Sequence, residues 1–225
     1  TGGDILISSA KNSAVNTPQN PVMLAGKTVT IKGTDETTEA SPANVSTVTA
    51  PKLNVTAGDG VTITGSGAIP LIADDNGGEC AVTLNAGGDV GIVNKGGMAV
   101  FGPLTVTEAH NVTIGGGGTS LLYSANGVHC INASGTVKME SSGIVCSGND
   151  ANGLTITGAE TVDIAGESTS APVVTGMTLN ECGAATVTRL QCSDTMAPIA
   201  STVTSDIPVL LRNGSNDIEP QLLWD

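Results

Sequence analysis

LNVTAGDGVTI (53–63), VTLNAGGDVGI (82–92), LTVTEAHNVTI (104–114), HCINASGTVKM (129–139), LTITGAETVDI (154–164) and MTLNECGAATV (177–187) are versions of one phrase. In each, an apolar-x-apolar pair recurs after five spacer residues, as Leu53, Val55 … Val61, Ile63 in the first and Met177, Leu179 … Ala185, Val187 in the last. The first-to-third offset is eight residues every time, and the phrases start 29, 22, 25, 25 and 23 residues apart. Fixed spacing within a unit and variable spacing between units mark a stacked repeat. The alternation inside each pair has period two, the signature of a short strand with one buried face.

A further apolar cluster follows each of the first five phrases: Ile69 to Ile72, Met98 to Phe101, Leu121 to Tyr123, Ile144 to Cys146 and Pro172 to Val174. Three short strands per unit of about 25 residues, joined by glycine-rich bends, predict an all-β, single-stranded, right-handed parallel β-helix of seven or eight coils. An antiparallel sandwich or barrel also has closely spaced short strands, but hairpins do not return a doublet in the same order and register. A leucine-rich repeat would need its L-x-x-L-x-L consensus, which is missing.

Composition agrees. The 225 residues hold one Phe, one Tyr and one Trp, so the core must be built from aliphatic side chains. A narrow stack allows this because neighbouring coils supply the contacts. Thirty Gly and ten Pro suit frequent tight turns. One domain is expected over 1–225: an irregular start or cap at 1–20, coils over 21–209 with a loop at 33–50, and a cap at 210–225. Pro21, Met23 … Val29, Ile31 reads as an early coil and Ile199, Ser201 … Ile207, Val209 as a last, degraded one. The tail, with Leu222, Leu223 and Trp224, would cover the terminal edge of the stack.

The net charge of −13, with eight Lys and Arg, argues against nucleic acid and against acidic lipid surfaces. No apolar run approaches the roughly 20 residues that span a bilayer, so no membrane insertion is expected. The chain opens without a signal peptide, which reads as a trimmed or mature form of a longer protein. The cysteines Cys80, Cys130, Cys146, Cys182 and Cys192 have no metal-ligand spacing. With coils stacked at ~4.8 Å, most pairs lie beyond disulfide reach. Only Cys182 with Cys192, or Cys130 with Cys146, share a coil, and small packed thiols are the plainer reading.

The outward positions of the first strand carry short polar residues: Asn54 and Thr56, Thr83 and Asn85, Thr105 and Thr107, Cys130 and Asn132, Thr155 and Thr157, Thr178 and Asn180. They would form a flat ladder of hydroxyls and amides, a candidate binding face for an extended polysaccharide or a host surface. Thr also simply suits exposed strand positions. The variable coil length argues against an ice-binding face. Asp74, Asp75 and Glu79, in DDNGGE (74–79), make the densest acidic turn and could offer oxygen ligands to calcium; otherwise no cofactor is called for. A solvated turn is the plainer alternative, and Asp150 lies about three coils from Asp74, too far to share an ion. His110 sits in a spacer. His129 occupies an inner position, so either it is a core histidine or the strand shifts by one, burying Val128 and Cys130. Five N-x-S/T sequons, at Asn44, Asn54, Asn111, Asn132 and Asn213, are expected by chance in so Asn- and Thr-rich a chain.

The units VTLNAGGDVGIVNKGG (82–97), GVHCINASGTVKMESSGIVCSG (127–148) and GLTITGAETVDIAGES (153–168) resemble right-handed β-helix surface proteins of bacteria. These are adhesin-like or polysaccharide-associated proteins with the pectin-lyase-like fold. The resemblance rests on repeat style across roughly Pro21 to Val209. It implies an extracellular module of a longer surface protein, acting as a stalk or binding domain. Enzymes of that fold set the test for catalysis. Of the Asn-x-Asp, Asp-Asp, Gly-His-Gly and R-x-K elements of polygalacturonase-like enzymes, this chain has only the pair Asp74-Asp75. The basic side chain that pectate lyases place beside their calcium is missing near Asp74, since the only arginines are Arg189 and Arg212. A non-catalytic module is therefore expected. A polysaccharide-binding module, against which the scarcity of aromatics counts, and a diverged lyase or hydrolase are the alternatives.

Overall fold

The computed structural model describes residues 2–10, 12–33, 45–148, 153–169, 171–190, 198–200, 203–214 and 216–218. The chain winds as a parallel β-solenoid of about seven turns. The first face holds the leading halves of Val22–Lys32 and Lys52–Gly65, then Ala81–Ala86, Leu104–Ala109, His129–Ala133, Leu154–Thr157, Met177–Asn180 and Val203–Ser205. The second face holds Ile5–Ser8, the trailing halves of the same two long strands, Val90–Asn94, Val112–Gly116, Thr136–Ser141, Thr161–Gly166, Ala184–Arg189 and Val209–Asn213. The third face is a separate sheet of Val15–Asn16, Val48–Thr49, Ile72–Ala73, Val100–Phe101, Ser120–Ser124 and Ile144–Gly148, prolonged by single bridges at Val174 and Ile199. Among the described residues, the one antiparallel pairing joins Asn216–Ile218 to Val209–Asn213.

Every doublet position of all six phrases is buried, the most exposed being Ala185 at 5%. Equivalent residues stack in columns. Val61, Val90, Val112, Val137, Val162 and Ala185 form one, and Ile63, Ile92, Ile114, Met139, Ile164 and Val187 another. Parallel strands at ~4.8 Å bring like side chains into contact, and β-branched residues fill such a pleated surface well. Each buried aliphatic contributes roughly 1.5–3 kcal/mol relative to exposure, and the columns repeat that gain from coil to coil.

The corners use different chemistry. Between the second and third faces runs a row of Gly65, Asn94, Gly116, Ser141, Gly166, Arg189 and Asn213. Asn94 is fully buried there and donates from Nδ2 to the carbonyls of Ile69 (2.9 Å) and Met98 (2.8 Å), pinning the bend of its own coil and the one before. A Cβ on Gly116 would lie 2.7 Å from the carbonyl oxygen of Gly97 and 2.8 Å from Leu121 Cδ1, so the bend closes only around a residue without a side chain. Between the first and second faces, Asp89 accepts from Asn111 N (3.1 Å) and Nδ2 (3.0 Å), and Asn111 Oδ1 accepts from Thr136 N (2.8 Å). Three coils are thereby linked through two side chains.

Three local expectations change. The early coil is set by Val22 and Leu24, which pair with Leu53 and Val55, whereas Met23 is 77% exposed. Val22 stands seven residues before Val29 instead of eight, and a bulge between Gly26 and Thr28, opposite Ala57 and Gly60, absorbs the missing residue. In the last coil Ile199 belongs to the third face through its bridge to Val174, and Ser201 lies outside the described residues. The inner residues there are Val203 and Ser205, then Val209 and Leu211, opposite Met177, Leu179, Ala185 and Val187. The corner of that coil is two residues shorter, since Ser205 precedes Val209 by four where Leu179 precedes Ala185 by six. Finally, the segment read as a loop at 33–50 contains Val48–Thr49, a third-face strand with Val48 fully buried; residues 34–44 lie outside the described set, as do 219–225 with Trp224.

Candidate functional site

The first-face ladder has the registration its spacing implied. Asn54 aligns with Thr83, Thr83 with Thr105, Thr105 with Cys130, Cys130 with Thr155, and Thr155 with Thr178. The second row aligns Thr56 with Asn85, Asn85 with Thr107, Asn132 with Thr157, and Thr157 with Asn180. It is interrupted between Thr107 and Asn132 by a bulge at Glu108, whose φ is +60°. All these side chains point outward and range from partly to fully accessible. The face is flat and polar.

The acidic turn divides into two functions. Asp74 precedes the short 3-10 turn Asp75–Gly77 and accepts the Asp75 amide at 2.7 Å, while Asp75 is exposed. Glu79 points elsewhere: it accepts from the amide of Ala125, from Asn126 Nδ2 (3.4 Å) and from Ser124 Oγ (3.4 Å). Among the described residues no group of three or more His, Cys, Asp or Glu could hold a metal ion, so Asp74, Asp75 and Glu79 are not gathered as a ligand set. Asp150 lies outside the described residues.

Both histidines occupy structural positions. His129 is the inner residue of its strand, 1% exposed and aligned with Leu154, while Cys130 faces out. Neither ring nitrogen has a hydrogen-bond partner, and burial pushes its pKa down to about 4 against a small opposing pull from Glu79. His110 is exposed and its Nδ1 lies 3.2 Å from Ser134 Oγ on the next coil. Cys80, Cys146 and Cys182 are buried free thiols and Cys130 is an exposed one. Burial, with Asp74 nearby, raises the Cys80 thiol to about 12; burial alone does the same for Cys146. Cys192 lies outside the described residues.

The third face holds what the doublets did not reveal. A cavity of about 430 Å³ opens beside its outward column, with Asn16, Thr49, Ala73 and Phe101 along its floor and Asp74 and Asp75 in one wall. Val45, Ser46, Ile69 and Pro70 are among the other residues that line it. Phe101 aligns with Tyr123 on the following coil, and their rings stack with centroids 5.3 Å apart and planes 11° from parallel. Two of the three aromatic residues in the chain thus form one ring-on-ring stack, each ring partly accessible. A signal for this did exist. Phe101 and Tyr123 are 22 residues apart, the same interval as Leu104 from Val82, which marks positions that stack.

Compared with family models, with curated proteins and with solved structures, the chain finds no match.

Proposed function

We propose that the chain is a non-catalytic module of an extracellular bacterial surface protein, acting as a rigid stalk or adhesin-like binding domain of the pectin-lyase-like type. The observation that carries this reading is the parallel pairing of coil on coil along the first two faces, from Val22 to Asn213, carried past bulges near Gly26 and Glu108. Backbone hydrogen bonds between coils run along the long axis of such a stack, so bending or stretching it works against many of them together. The exterior suits a medium-facing rod: short hydroxyls and amides on the first face and an excess of thirteen negative charges. The non-catalytic part rests on the histidines, one buried at an inner strand position opposite Leu154 and the other exposed with its Nδ1 3.2 Å from Ser134 Oγ.

Single-molecule stretching of the whole chain tests the mechanical role. A stalk resists and then gives way in cooperative steps of whole coils; smooth extension at low force would refute it. Incubation with pectin-type polymers tests the rest. No reducing or unsaturated sugar is expected, and a release abolished by Asp74→Ala with Asp75→Ala would assign a lyase or hydrolase instead. Among the described residues no helix is long and apolar enough to cross a membrane.

A further inference from the structure

We infer that the third-face cavity is a binding subsite for neutral hexose oligosaccharides, with Phe101, backed by Tyr123, as its aromatic surface and Asp75 as a hydroxyl acceptor. This goes beyond the stalk reading and stands or falls separately from it.

The chemistry narrows the occupant step by step. The cavity is within the range that takes small organic ligands, roughly 300–1,000 Å³. Its lining is mixed, so it suits a molecule with one apolar face and one polar rim. Phe101 lines the cavity, and Tyr123, stacked on it from the following coil, holds its ring in place. Aromatic faces take the C–H side of a pyranose ring, which is apolar, while hydroxyls project from its edge. The polar wall consists of Asp74 and Asp75, with Asn16 and Thr49 on the floor.

Ionised carboxylates only accept hydrogen bonds, so the occupant must bring donors. One oxygen of Asp74 already receives the Asp75 amide, whereas the Asp75 side chain is exposed beside the opening. Bonds from ligand hydroxyls to a carboxylate are charge-assisted and stronger than neutral ones. The same two charges, on a chain of net charge −13, repel phosphates and uronates. A hydroxyl-rich, uncharged, flat-faced ring meets these requirements together. The floor column follows the solenoid axis from Asn16 through Thr49 and Ala73 to Phe101, Tyr123 and Ser147. A linear oligomer laid in the cavity therefore meets Asn16, Thr49 and Phe101 in sequence.

The test is calorimetric titration of the whole chain with cellohexaose, mannohexaose and hexagalacturonate, with ring contacts read by saturation-transfer NMR at Phe101. At least one neutral hexasaccharide is expected to bind with a Kd between micromolar and low millimolar. Phe101→Ala should weaken it tenfold or more and Asp75→Asn about fivefold, with unchanged circular dichroism and Tm for Asp75→Asn, whose side chain is exposed. Thr157→Ala on the first face should leave the Kd unchanged. No binding of either neutral sugar at 10 mM (roughly the weak limit for a specific small-ligand site) overturns the inference. So does preference for hexagalacturonate, an unaltered Kd in both cavity variants, or a loss caused by Thr157→Ala. None of these results bears on the stretching behaviour of the rod.

Discussion

The carboxylate of Glu79 accepts the backbone amide of Ala125, two coils further along the stack. The coil between them makes this reach available. Its corner closes in three residues from Phe101 to Leu104, with Gly102 at φ +131° and Cys80 directly beneath. The flanking corners are longer, Ala73 to Val82 and Tyr123 to His129, and the Glu79 side chain of one reaches the Ala125 amide of the other past the short one. Glu79 is the tie.

Replacing Glu79 by Ala strands the amide of Ala125 and frees the turn at Ser124–Asn126. Hydrogen bonds to a charged acceptor contribute about 1.5–3 kcal/mol, and partial exposure of Glu79 places the loss toward the lower end. Urea unfolding at neutral pH should show a lower midpoint with an unchanged slope. Glu79→Gln should recover about half of it.

His129 gives the protein an acid-side weakness. Its pKa falls from 6.5 to about 4 on folding because burial disfavours the charged ring. The unfolded chain therefore binds more protons between these values, and stability is lost as pH drops from about 6.5 toward 4, then levels off. The full shift corresponds to about 3 kcal/mol. His129→Leu restores the residue type found at Leu104 and Leu154 and removes two unpartnered ring nitrogens. Thermal melts at pH 7 and pH 4.5 should show the variant more stable at both, with the larger gain at pH 4.5. An equal gain would mean that the histidine does not titrate as its burial requires.

Glycines at two registers should respond in opposite directions. Gly166→Ala pushes a Cβ to 2.6 Å from the carbonyl oxygen of Gly143 and 2.7 Å from Val173 Cγ1, an overpacked corner costing about 1–3 kcal/mol. Gly91 faces open space in the middle of a second-face strand, between Thr62 and Thr113. Gly91→Thr should stabilise by about 0.5–1 kcal/mol, since glycine weakens a strand and a threonine would continue the row. Denaturant midpoints of the two variants measure both.

The thiols should separate by access. Cys130 lies outward between Thr105 and Thr155, while Cys80 and Cys146 are buried with their thiols held to about 12. In a Cys192→Ser background, iodoacetamide at pH 8 should modify Cys130 within minutes and leave Cys80 and Cys146 unmodified until the chain is unfolded. Peptide mapping by mass reads the order. Comparable labelling of Cys146 and Cys130 in the folded protein would mean that its coil opens.

The repeat was legible because one physical requirement, an inward aliphatic every second residue on two flat faces, acts on the same four positions of each coil. Leu53 and Val187 could be placed with equal ease. His129 was legible only as a choice, because polarity opposed position, and its alignment with Leu154 decided it. The third face was dimmer: strands as short as Val100–Phe101 have no period to detect, and their outward residues look like part of the apolar cluster. The cavity combines Asn16, Thr49 and Phe101 from coils whose lengths differ, so no fixed interval joins them. Glu79, grouped by sequence with Asp74 and Asp75, binds the turn at Ala125 because the intervening corner is short, a fact that depends on the coil above rather than on neighbours in the chain.

The register between coils has one more consequence. Leu154 meets His129 with the same backbone pattern by which Thr155 meets Cys130, Cys130 meets Thr105 and Thr105 meets Thr83. Each level is an interchangeable joint, so the molecule resembles a ladder whose rungs all share one fitting. Removing or duplicating a whole turn, such as 129–153, would leave the apolar columns on either side matched, at the loss of side-chain ties such as that between Asn111 and Thr136. Length in this protein is a counted quantity, altered by integers, and independent of the chemistry carried on any single turn.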